Sequence, residues 1–171
     1  MTYSESAQGP TALIGYCDRF EDMSITETAD EVAAIVGEPV SLWTLPLPED
    51  APTALLVRES RPGGVAVNHV IVAARLDEEM RKFAVRHEFG HLLRLDHLAD
   101  PLTASPQEAT VLAAAAEHFC EQTERLALVG CRKASEEMAA AERECELFAV
   151  LLGLQNGAVP YHKLARTLQG R

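Results

Sequence analysis

The chain has 171 residues, 47% of them hydrophobic and 24% charged, and a formal net charge of −11. That length suits about one domain and buries a core without disulfide support. No run approaches the roughly 18 apolar residues of a membrane-spanning helix, and the acidic balance opposes direct attraction to nucleic acid or anionic lipid.

The opening "MTYSESAQGPTALIGYCDRF" lacks the basic start, apolar block and small-residue cleavage site of a secretory signal, so a cytoplasmic protein is expected. Residues 1–20 are read as an N-terminal segment with room to be flexible, and residues 21–171 as a single domain. None of the four cysteines, Cys17, Cys120, Cys131 and Cys145, lies in a C-x-x-C spacing. In a reducing compartment they read as free thiols.

"MSITETADEVAAIVGEP" carries the marks of a complete short helix. Ser24 and Glu27 make a capping box, Gly37 supplies a left-handed stop and Pro39 blocks continuation. Residues 40–45, 53–57 and 65–72 are β-rich and separated by signals such as "RPGG", which predicts a small antiparallel or mixed sheet. The strand around His69 is expected to offer an edge to an extended peptide.

Helices are expected after Arg75. One starts at Asp77. A second, Ala-rich helix is predicted over 105–129, with Ser105 and Glu108 as a capping box, Pro106 in the first turn and Gly130 after its end. A third runs from about Ala134 to Gln155, and "VPYHKLARTLQ" forms a short fourth. The fold class is therefore α+β.

"RHEFGHLLRLDH", residues 86–97, contains His87, Glu88 and His91 as H-E-x-x-H. Residues four apart share a helix face, so both imidazoles reach one Zn²⁺ at about 2.0–2.1 Å. Glu88, about 100° round the helix from His87, stays out of the ligand set but within reach of a water proton. A hydrolytic site needs a third ligand and an open position. His97 stands where a metzincin has its third histidine, in H-E-x-x-H-x-x-G-x-x-H, but Arg94 occupies the glycine position. Without that glycine, continued helix is the easier course and carries His97 away from the ion. The other source of a ligand is a carboxylate in "AERECELFAVLLGL", residues 141–154, where Glu142, Glu144 and Glu146 are neighbours.

Two stretches together, "GVAVNHVIVAARLDEEMRKFAVRHEFGHLL" and "AERECELFAVLLGL", resemble the ImmA/IrrE-type metallopeptidases, a gluzincin-like family. Its second motif has a glutamate, Ala-Asn, one residue, Phe-Ala and a leucine-rich helix; here Cys145 and Glu146 stand for Ala and Asn. The matched parts cover roughly residues 25–95 and 140–155. Aligning Phe148 and Ala149 with the Phe-Ala pair makes Glu144 the third ligand, with His97 as the alternative.

The resemblance implies a zincin-like fold in which the sheet packs on an active-site helix and a C-terminal ligand helix. It also implies one Zn²⁺ per chain and a metalloendopeptidase, with Glu88 as general base, acting on a specific protein such as a helix-turn-helix repressor. Tyr161 or His162 would stabilise the oxyanion. Two other readings stand beside it. One is a zincin-fold binding partner, of a toxin–antitoxin or transcription-regulator complex, with little peptidase activity; the other is a divergent metzincin using His97.

Overall fold

Ser24 accepts a hydrogen bond from the Glu27 amide at 3.2 Å while the Glu27 carboxylate accepts from the Ser24 amide at 2.8 Å, so the capping box forms and starts helix α1, Ile25–Val36. Gly37 ends it at φ 75°, a left-handed conformation that costs glycine nothing. The computed structural model describes residues 13–98, 103–119, 125–129 and 136–155, apart from the side chains of residues 97 and 136–138. Before α1, residues Ile14–Phe20 form a 3-10 helix for which the sequence predicts no element. Leu13, Cys17 and Phe20 anchor it in the core.

Strands β1 (Val40–Leu45), β2 (Ala54–Arg61), β3 (Val65–Ala73) and β4 (Arg125–Val129) build one sheet in the order β1-β3-β2-β4. The sheet is mixed: β1 runs parallel to β3, while β2 is antiparallel to both β3 and β4. The hairpin between β2 and β3 turns at Pro62–Gly64, with Gly63 and Gly64 at φ 80° and 77°. Helices α2 (Glu78–Leu93), α3 (Pro106–Ala116) and α4 (Glu136–Gln155) complete an α+β architecture.

Two expectations need correction. The strand carrying His69 is not an edge, because β1 and β2 pair with both its sides. Nor does one helix span 105–129: α3 ends at Ala116, and residues 125–129 pair with β2 as β4. That pairing gives β2 a partner on its second side from Leu56 to Ser60, and Leu128 joins the core cluster with Val111 and Ala115 of α3, so non-local contacts outweigh local helix propensity.

The period of two along each strand divides the core. Leu56, Val70 and Val72 face α1, α2 and α4, whereas Leu55, Val57, Ile71 and Leu128 face Val111 and Ala115 of α3. The α3 side also encloses a polar group. His69 Nδ1 accepts from the Trp43 indole N–H at 2.9 Å, so its own proton belongs on Nε2, which donates to Glu59 at 2.7 Å. Arg61 donates twice to Glu59, at 3.0 Å each, and the His69 ring stacks on Phe119 at 4.0 Å.

Burial lowers the His69 pKa; hydrogen bonding and charge from Glu59 oppose the shift without cancelling it, and Arg61 reinforces it. The unfolded chain therefore takes up this proton at a higher pH than the folded one. The stability is complete above the unfolded value of about 6.5 and is lost as pH falls through it toward the folded pKa. Urea unfolding followed by Trp43 fluorescence should show stability declining between about pH 7 and 5, with a shallower decline in His69→Gln. Equal slopes in the two proteins would remove His69 as the cause.

Candidate metal centre

Asp77 caps α2 by accepting from the Met80 amide at 2.8 Å, and Glu78 and Glu79 in its first turn suit the positive end of the helix dipole. The second half of α2 is the most enclosed helical stretch described. Val85, Phe89, Leu92 and Leu93 lie in the main core, joined there by Cys145, Phe148 and Leu152 of α4. The two helices touch at Gly90. A β-carbon there would lie 3.0 Å from Cys145 Sγ and 3.2 Å from its Cα, so a side chain would force α4 outward. Glycine thus sets how closely α4 approaches the two histidines.

At that approach Glu142, from α4, faces both imidazoles. Its Oε2 is 3.2 Å from His87 Nε2, its Oε1 is 3.3 Å from His91 Nε2, and the two Nε2 atoms are 3.1 Å apart. Tetrahedral donors about 2.0–2.1 Å from Zn²⁺ stand about 3.3–3.4 Å from one another. Two imidazole nitrogens and a carboxylate at this spacing fit one small divalent cation.

Among the described residues a second group, His91, Asp96 and Cys145, also brings donor atoms together. It engages the other nitrogen of His91, and burial raises the Cys145 thiol pKa despite the contact with His91, which opposes the thiolate a metal requires. The first group is the better-matched donor set.

Burial pushes the Glu142 carboxyl upward, but hydrogen bonds and charge from His87 and His91 outweigh it and hold the group well below the ordinary carboxylate range. Glu88 behaves in the opposite way. It is buried beside the same imidazoles; desolvation raises its pKa, His91 and His87 pull it down, Glu142 pushes it up, and the net result is a raised value. Glu142 is thus held below the ordinary carboxylate range and Glu88 above it.

The structure sets His87 Nε2 and His91 Nε2 3.1 Å apart, with Glu88 buried on the same helix, and the carboxylate that faces both histidines is Glu142. Glu144, expected there, forms an ion pair with Arg94 instead. Arg94 also corrects the expected course of the chain. Helix α2 ends at Leu93, Arg94 caps it, and Leu95 adopts φ 64°, so the backbone turns rather than continuing as helix. The turn delivers Asp96 to His91, Oδ2 to Nδ1 at 2.8 Å, a contact the sequence reading missed.

His97 lies in the 3-10 turn Asp96–Leu98, and its side chain is outside the described residues, as are Tyr161 and His162. Cys17 and Cys145 are free and buried; Cys120 and Cys131 also fall outside the described residues. His69 lies on the opposite face of the sheet from α2 and belongs to the Trp43–Glu59 group rather than to this centre.

Comparison with protein-family models, with curated proteins and with solved structures gives no match to this chain. Among the described residues no helix is long and apolar enough to cross a membrane. What the fold and site define is an α+β domain with a His-His-Glu group able to hold a metal ion beside a buried glutamate.

Proposed function

We propose that the chain is a zincin-like, zinc-dependent metalloendopeptidase, working in the cytoplasm as a regulatory protease. The observation that carries the reading is the convergence of His87, His91 and Glu142 within 3.1–3.3 Å of one another, with Glu88 buried alongside. His87, His91 and Glu142 would hold the ion. When bound, Zn²⁺ supplies Lewis acidity that polarises a carbonyl and brings the pKa of water toward about 7.

Glu88 then takes the proton of the attacking water and returns it to the leaving amine. Its burial, which raises its pKa above the ordinary carboxylate value, makes it a better proton acceptor than an exposed carboxylate. Glu142 would ligate through its carboxylate, whose Oε2 and Oε1 face His87 Nε2 and His91 Nε2 at 3.2 and 3.3 Å.

The resemblance to ImmA/IrrE-type peptidases points to a helix-turn-helix repressor as substrate. A net charge of −11 favours encounter with a basic, DNA-binding protein over DNA itself. Purified protein is expected to hold one Zn²⁺ per chain by elemental analysis, to leave casein largely uncut and to cleave one such regulator from its host. Failure to retain Zn²⁺ after loading would overturn the metal reading. Indiscriminate digestion would replace the regulatory protease with a broad peptidase, and tight regulator binding without cleavage would make the chain a binding module.

A further inference from the structure

His91 is held at both ring nitrogens. Nε2 faces His87 and Glu142, while Nδ1 lies 2.8 Å from Asp96 Oδ2. A neutral imidazole carries one N–H, and a carboxylate beside one nitrogen can only accept. We infer that Asp96 is a positioning residue for His91, fixing the proton on Nδ1 and the ring plane so that the Nε2 lone pair points to the place His87 and Glu142 also face.

Three features of the chain support the inference. Asp96 reaches the ring because Leu95 adopts φ 64°, a left-handed conformation that strains a side-chain-bearing residue. The Leu95 side chain is 49% exposed, so its own burial does not account for that strain. The turn brings Asp96 onto His91 and closes with the Leu98 amide donating to the Leu95 carbonyl at 3.0 Å.

Arg94 supplies the second feature. Its Nε lies 3.4 Å from Asp96 Oδ2 and its Nη1 pairs with Glu144, so one guanidinium ties the Asp96 turn to α4, the helix that carries Glu142. Third, Asp96 is the stronger acceptor of the two described groups at Nδ1: Cys145 Sγ lies 3.7 Å away, and a thiol accepts weakly. A carboxylate at Nδ1 disfavours the tautomer with its proton on Nε2, where it must be displaced before a metal binds.

The inference rests on the proposed metal reading, and one experiment separates the two. Wild type, Asp96→Asn and Asp96→Ala are titrated with Zn²⁺ against a chromophoric chelator, with folding checked by circular dichroism and thermal unfolding in EDTA. Affinity is expected to fall about 10- to 100-fold in Asp96→Ala, the loss typical of removing the partner that orients a ligand. Asp96→Asn, which keeps an acceptor but not the charge, is expected to lose about 3- to 10-fold. The Co²⁺ absorption bands of both variants should keep the wild-type pattern, since no ligand is removed.

Should Asp96→Ala not fold, Asp96→Asn decides by the same comparison. Affinities within twofold of wild type in the folded variants would overturn the role of Asp96 while leaving the metal site intact. A wild type that binds two Zn²⁺, one of them lost with Asp96, would make it a ligand of the His91–Asp96–Cys145 group instead. A wild type that binds no Zn²⁺ would overturn the proposed function itself, and this inference with it.

Discussion

Replacing Glu142 by alanine should weaken Zn²⁺ binding by more than about 100-fold, beyond the loss expected for an outer partner of a ligand, while Glu144→Ala should change it by less than about threefold. The two residues are a half-turn apart on one helix, so a general disturbance of α4 would affect both variants. Glu142 places an oxygen against each imidazole, at 3.2 and 3.3 Å. Removing it leaves two nitrogens, too few to close a site that keeps one position open.

Glu144 is committed elsewhere, paired with Arg94, and its loss should appear as a lower melting temperature at unchanged metal content. Breaking a largely buried pair leaves one charge less well compensated. Competition titrations on the two proteins, with His91→Ala as the control for a lost ligand, read the difference directly. Strong metal loss in Glu144→Ala with Glu142→Ala unaffected would reverse the assignment.

The choice between those two glutamates lay beyond what helix periodicity can decide. At about 100° per residue, the buried stripe of Ala141, Cys145, Phe148, Ala149 and Leu152 has a centre from which Glu142 stands about 75° to one side and Glu144 about 85° to the other. Both therefore read as edge positions. Which edge meets α2 depends on how the helices cross, and that is set by the contact between Gly90 and Cys145, fifty-five positions apart in the chain.

Local rules worked where local chemistry decides. The capping boxes at Ser24 and Ser105 formed as their spacing predicts, because each is closed within four residues. The strand β4 was illegible for the opposite reason: "RLALV" sits behind an alanine-rich run and becomes a strand only through pairing with β2. Asp96 was hidden by a leucine in a conformation that sequence rules reserve for glycine or asparagine. An acid five residues after the second histidine was the available signal, and on a continuing helix it would have pointed elsewhere.

The Glu88→Gln protein should keep its Zn²⁺ and lose about 100- to 10,000-fold in turnover, the range a positioned general base contributes. Glutamine preserves the length and hydrogen-bonding shape of the side chain but cannot take a proton at neutral pH. The burial that raises the Glu88 pKa would then act on a neutral amide, so the folded protein should be no less stable than wild type, because the cost of burying a carboxylate has been removed. Activity and stability should therefore separate: turnover collapses, while metal content and melting temperature hold or rise. A protein in which Glu88 serves the fold alone would retain turnover, and one in which it ligates would lose metal along with activity. Measuring Zn²⁺ content, unfolding and cleavage on one preparation distinguishes the three roles. Glu88→Asp sharpens the result, since it keeps the proton acceptor but withdraws it by one methylene. Its activity should fall between wild type and Glu88→Gln, because proton transfer requires the base within hydrogen-bond reach of the water. An aspartate variant as inactive as the glutamine one would show that reach governs the step as strictly as the acceptor itself, and one as active as wild type would remove Glu88 as the positioned base.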